Sequence, residues 1–151
     1  MNIIKINENA PVIVKGMIEI NSSPETIWDL IADIKRWSSW NPDVKNSSIE
    51  GDVIKGSKFK WKSWSVTITS IFQEVDRPRF IGWTGKTMGI KAVHIWKLEP
   101  KNGRTIAITE ESWEGPLTRL TRGRTQNMLQ KAINSELEYL KIEAERVSSI
   151  E

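Results

Sequence analysis

The sequence holds one histidine, His94, and no cysteine. Imidazole titrates near neutral pH and is the usual general acid or base. His94 lies in IKAVHIWKLEP (90–100), and the next apolar stretch, TIAITEESWEG (105–115), carries Glu111. A carboxylate in apolar surroundings has its pKa raised by desolvation, which suits it to proton transfer. Together His94 and Glu111 could enolise or dehydrate a carbonyl compound. The alternatives are a hydrogen bond between two buried polar groups, or a polar handle that orients a bound molecule. The handle is preferred over catalysis, because the geometry that catalysis needs does not follow from residue types alone. Without cysteine there are no disulfides, thiolate zinc sites or cysteine nucleophiles, and one histidine gives no multi-histidine metal site. No metal and no cofactor is expected.

The elements that must carry these residues are mostly strands. PVIVKGMIEI (11–20) is a Val/Ile-rich strand. A helix follows, with Asn21, Ser22 and Ser23 as capping candidates, Pro24 in its first turn and Glu25 where the helix dipole favours an acid. Ile27, Trp28, Leu30, Ile31 and Ile34 give its apolar side, and Trp28 packs it into the core. It breaks near Asp33, and IKRWSSW makes a second short turn or helix that ends at Pro42. Strands follow in SIEGD, KFKWK (58–62), SVTITSIFQEV (65–75), RFIGWTGKT (79–87), and the two stretches that hold His94 and Glu111. A long helix is predicted over 116–146, with Leu129, Ala132, Ile133, Leu137, Leu140 and Ala144 as one stripe and Gly123 as its weak point. This order is α+β, with helices gathered on one face of a curved antiparallel sheet.

The order and several local motifs resemble the helix-grip fold of the START-like, Bet v 1-like (SRPBCC) superfamily, in particular its polyketide cyclase/dehydrase and lipid-transport branch. The resemblance is carried by Ser23-Pro24-Glu25-Thr26-Ile27-Trp28, Asp33-Ile34, Arg36-Trp37-Ser38-Ser39-Trp40-Asn41-Pro42 and Glu74-Val75-Asp76-Arg77-Pro78. Gly82-Trp83-Thr84-Gly85, His94-Ile95-Trp96 and Thr109-Glu110-Glu111-Ser112 complete it. It implies six to seven strands wrapped around a long C-terminal helix, two short helices after the first strand, and a hydrophobic cavity between sheet and helix. Members of the superfamily bind sterols, lipids, polyketides, hormones or quinones, and some catalyse cyclisation or dehydration.

The chain has eight tryptophans, and strand alternation assigns their faces. Lys58, Lys60 and Lys62 must face water, so Phe59 and Trp61 point at the helix. Lys97 and Glu99 put Val93 and Ile95 outside and His94 and Trp96 inside. Ile81 shares a face with Trp83, and Thr109 and Glu111 with Trp113. These residues, with Ile68, Leu120 and Trp40 at the expected mouth, form the candidate binding surface. A pocket is preferred over a plain core because several indoles on one curved sheet leave space between them.

At 151 residues the chain is expected to be one domain, 1–151, with its core in about 11–146. It has no signal-peptide run and no apolar stretch long enough to span a membrane, so the cytoplasm is its expected location. The net charge of +3 is mild. Arg119, Arg122 and Arg124 read as a solvated helix face rather than a membrane-docking patch. Basic runs interleaved with exposed aromatics are absent, so nucleic acid is not an expected partner. The expected partner is a small hydrophobic or amphipathic molecule such as a lipid, isoprenoid or polyketide. The alternatives are a cyclase- or dehydratase-type enzyme using His94 and Glu111, and a module that takes a partner protein in its groove.

Overall fold

The computed structural model describes residues 4–150. β1 (Val12–Ile20) leads into α1 (Pro24–Ala32) and a 3-10 turn (Ile34–Ser39). Next come β2 (Val44–Ile49), β3 (Lys58–Ser63), β4 (Val66–Asp76), β5 (Phe80–Thr87), β6 (Ile90–Lys101) and β7 (Arg104–Glu114). A short α2 (Pro116–Leu120) and a long α3 (Arg122–Ser149) follow. The strands make one antiparallel sheet in the order β1-β7-β6-β5-β4-β3-β2. The sheet and the long helix form the helix-grip α+β fold that the resemblance implied.

The local chemistry behind the elements is as the sequence predicts. Ser23 Oγ accepts from the Thr26 N–H at 3.2 Å and caps α1, and Pro24 and Glu25 fill its first turn. The Trp28 indole N–H donates to the Phe80 carbonyl at 3.1 Å and ties α1 to β5. On β3, Phe59 is buried and Lys58 and Lys60 are exposed, the split that the alternation requires.

Two expectations need correction. The predicted 116–146 helix is two helices, and the break falls at Thr121 rather than Gly123. The Thr121 backbone leaves the helical region at φ -109° and ψ 25°, and its Oγ1 donates to the Leu117 carbonyl at 2.7 Å beside its own N–H at 3.0 Å. Val93 and Ile95 do face outward, but they are not wet. They form a second small core with Ile6 and Phe80, flanked by Ile4 and Ile13. The segment before β1 lies over this convex face, held by the Asn7 N–H donating to Ser112 Oγ at 3.0 Å. Gly82 makes room for it, since a Cβ there would sit 3.0 Å from Ile4 Cγ2.

The main core lies between the concave face and α3, whose Leu129, Ile133, Leu137, Leu140 and Ala144 are buried. Gly16 on β1 allows the helix in, because a Cβ there would stand 2.7 Å from Leu137 Cδ1.

Candidate functional site

Strand register places side chains in rows across the concave face. One row runs Trp83, His94, Glu111, Val14 over β5, β6, β7 and β1. Its neighbour runs Ser70, Gly85, Ala92, Trp113 over β4 to β7. Three small residues in succession leave the second row short of bulk. A cavity of about 260 Å³ opens there, roofed by Met128, Leu129, Ala132, Ile133 and Glu136 of α3. Trp64, Met88 and Met128 line it and are themselves 54%, 72% and 41% exposed, which marks the mouth. A second chamber of about 20 Å³ adjoins it and reaches toward Ile31, Trp37 and Trp96, room for one water.

The aromatic residues divide between these spaces. Trp61, Trp83 and Trp113, with Ile68, line the main cavity as expected. Trp40 and Trp96 line only the small chamber. Trp40 is therefore not at the mouth, and its indole nitrogen is buried without a partner. Phe59 and Ile81 line neither space. Phe59 stacks on Phe72 at 4.6 Å and meets Trp37 and Trp83 edge-on at 5.6 Å, which seals that end. Leu120 is 82% exposed on α2, because the break at Thr121 separates it from the roof.

His94 is nearly covered, at 4% exposure. Its Nε2 lies 2.8 Å from Thr109 Oγ1, and that hydroxyl gives its only proton to the Ile95 carbonyl at 3.1 Å. Nε2 must then carry the ring proton and donate it. This leaves Nδ1 as a bare acceptor, buried without a partner on the cavity wall. Thr109 is fully buried and touches no cavity space; its part is to hold the ring. Burial pulls the imidazole pKa below its ordinary value, against a smaller upward pull from the charge of Glu111.

Glu111 accepts from the Trp113 indole N–H at 2.9 Å through Oε1, and its Oε2 stands 3.8 Å from His94 Nδ1. The carboxyl that burial raises most is on α3. Glu136 Oε1 lies 3.9 Å from His94 Nε2. Its pKa is pushed up to about 8, by burial first and then by the negative charges of Glu111 and Asp43. Sequence reading missed Glu136 and Asp43. The signal for Glu136 was available: it falls three after Ile133 and four before Leu140, so an acid interrupts the apolar stripe. Arg119, Arg122 and Arg124 are exposed. No group of acidic, histidine or cysteine side chains among the described residues is arranged to hold a metal ion. No helix among them is long and apolar enough to cross a membrane.

A helix-grip sheet closed on a long helix, with a cavity between, is the architecture of the START and Bet v 1-like superfamily. Residues 11–145 match the family described as polyketide cyclase/dehydrase and lipid transport, and the chain belongs to that family. No curated protein matches it. Solved structures share the fold at low identity. A hypothetical protein from Helicobacter pylori superposes with a TM-score of 0.82 at 15% identity, over 95% of this chain and 97% of that one. The Zhui aromatase/cyclase from a Streptomyces species gives 0.78 at 14%, over 89% and 93%. A START superfamily protein from Mycobacterium smegmatis gives 0.63 at 19%, over 85% and 98%.

Proposed function

We propose that this protein binds a small apolar or amphipathic molecule in the main cavity. The ligand's body lies against Trp61, Trp83, Trp113 and the aliphatic roof, and its polar end meets His94, Glu111 and Glu136. The observation that carries this is the cavity of about 260 Å³ beside a buried acceptor that has no protein partner. Each Å² of apolar ligand surface buried supplies about 25 cal/mol. The family match supports a hydrophobic ligand, and the volume argues for a compact one, just under the range of about 300–1,000 Å³ usual for ligand sites. Native mass spectrometry on fresh protein, with solvent extraction, tests the reading. A stoichiometric organic adduct supports it. A bare mass, with tryptophan fluorescence unmoved by a panel of apolar probes, overturns it.

A second reading, acid–base chemistry on the ligand, is favoured by one distance: the lone pair of His94 Nδ1 lies 3.8 Å from Glu111 Oε2. It requires turnover of the extracted compound and a pH–rate limb that disappears in His94→Ala. The third, a groove for a partner protein, calls for a cavity too small or too collapsed to admit a ligand, and the volume of about 260 Å³ counts against it.

A further inference from the structure

Four titratable side chains from four different segments face the main cavity: Asp43 ahead of β2, His94 on β6, Glu111 on β7 and Glu136 on α3. No lysine or arginine lines it among the described residues. Of the two buried polar side-chain atoms without a partner among the described residues, Trp40 Nε1 is a donor in the small chamber and His94 Nδ1 is an acceptor on the main cavity wall. His94 Nδ1 has a lone pair and no partner, and Glu111 Oε2 stands beside it at 3.8 Å. The surrounding walls are indoles, whose ring faces attract cations.

We propose, resting on the binding role above, that the cavity selects a protonated amine: a compact primary or secondary amphipathic amine whose ammonium sits among His94, Glu111 and Glu136. Three features of the site act together. The carboxyl groups supply the opposite charge that a buried cation needs to offset its desolvation. His94 Nδ1 takes one of its N–H bonds, which a quaternary ammonium could not offer. Trp61, Trp83 and Trp113 line the same cavity, and indole faces attract cations. A fatty acid or a phosphate would instead meet three acidic side chains and no cation. Size narrows the class further. At about 260 Å³ the cavity is just under the usual range for ligand sites, which suits one ring and a short chain better than a two-chain lipid.

The amine should leave a second signature. Glu136 holds its proton at neutral pH. A cation beside it favours the ionised form, so amine binding at pH 7 moves that proton from Glu136 to the buffer, while the amine keeps its own.

Four probes with one body and different ends test this by calorimetry: phenylpropylamine, phenylpropanol, phenylpropionate and propylbenzene. The amine is expected to bind about tenfold or more tightly than the alcohol, the worth of one charge-assisted hydrogen bond, with phenylpropionate weakest. Titration of the amine in two buffers of different ionisation enthalpy should show net proton release. In Glu136→Gln the amine-to-alcohol ratio should fall about tenfold and the proton release vanish; a ratio within one variant cancels any general loss of affinity. If propylbenzene binds but the alcohol or the carboxylate equals the amine, the amine inference is overturned and the cavity reading stands. An unchanged ratio without proton release in the parent or in Glu136→Gln has the same consequence. If none of the four alters heat or tryptophan fluorescence, both readings fail.

Discussion

Phe59 and Trp61 are two residues apart on one strand, face the same way, and end in opposite environments. Phe59 is sealed among Phe72, Trp37 and Trp83, whereas Trp61 borders the cavity. The difference comes from what stands opposite. Trp37 from the 3-10 turn meets both rings edge-on, at 5.6 and 5.5 Å, but only Phe59 is also stacked on Phe72 at 4.6 Å and met edge-on by Trp83 at 5.6 Å. At the open end the sheet offers Ser70, Gly85 and Ala92, and α3 offers Ala132. Large rings on a curved sheet therefore close a core where further large rings on neighbouring strands pack against them. Where small residues answer them, they wall a space.

Substitutions can break or sharpen this contrast. The largest effect belongs to Phe59→Ala, which should cost about 3–5 kcal/mol in urea unfolding, the usual loss for a buried aromatic. A loss below about 1 kcal/mol would show that the sealed end is not packed as described. Gly16→Val should cost about 1–3 kcal/mol by overpacking, since its Cβ would press on Leu137 Cδ1 at 2.7 Å. A neutral outcome would mean that α3 shifts freely on β1.

The third effect depends on pH. Glu136 keeps its proton in the folded protein up to about pH 8, against an ordinary value of 4.5. The folded state thus binds more protons than the unfolded one across that window, and stability falls as pH rises through it. His94, lowered by burial, acts in the opposite sense: its contribution is present above about 6.5 and is lost as pH falls below that. Glu136→Gln should flatten the alkaline decline, on the order of 2 kcal/mol between pH 5 and 8, read from urea midpoints at several pH values. Parallel parent and variant profiles would remove Glu136 from the site's electrostatics. The smallest effect is that of Trp64→Ala at the mouth, expected within about 0.5 kcal/mol of the parent because the side chain is half exposed. A loss above about 1 kcal/mol would make the rim part of the core.

Much of this was legible in the residue pattern. Lysines at 58, 60 and 62 oriented β3, and Lys97 with Glu99 turned His94 inward. The inward placement of Thr109, Glu111 and Trp113 also holds, although neither face of β7 is cleanly apolar. What escaped depends on contacts between distant elements. Nothing local distinguishes Phe59 from Trp61 until Phe72 and Trp83 pack on Phe59. Leu120 reads as part of one long helix over the cavity until Thr121 breaks that helix. Val93 and Ile95 look solvated until the segment before β1 covers them. Glu136 was passed over, although its spacing sets it in the apolar stripe, because a single acid in an amphipathic helix usually marks its wet edge.

The helix α3 serves both regions. Its stretch from Met128 to Glu136 roofs the cavity, and Leu137, Leu140 and Ala144 continue into the core. The chain cannot melt without releasing whatever the roof covers. An occupant at a hundred times its dissociation constant adds about 2.7 kcal/mol to the folded state. For a chain of this length each kcal/mol is worth about 2–4 °C of melting temperature. Heating the protein against a collection of small molecules would thus rank its ligands by calorimetry alone, before any reaction is known.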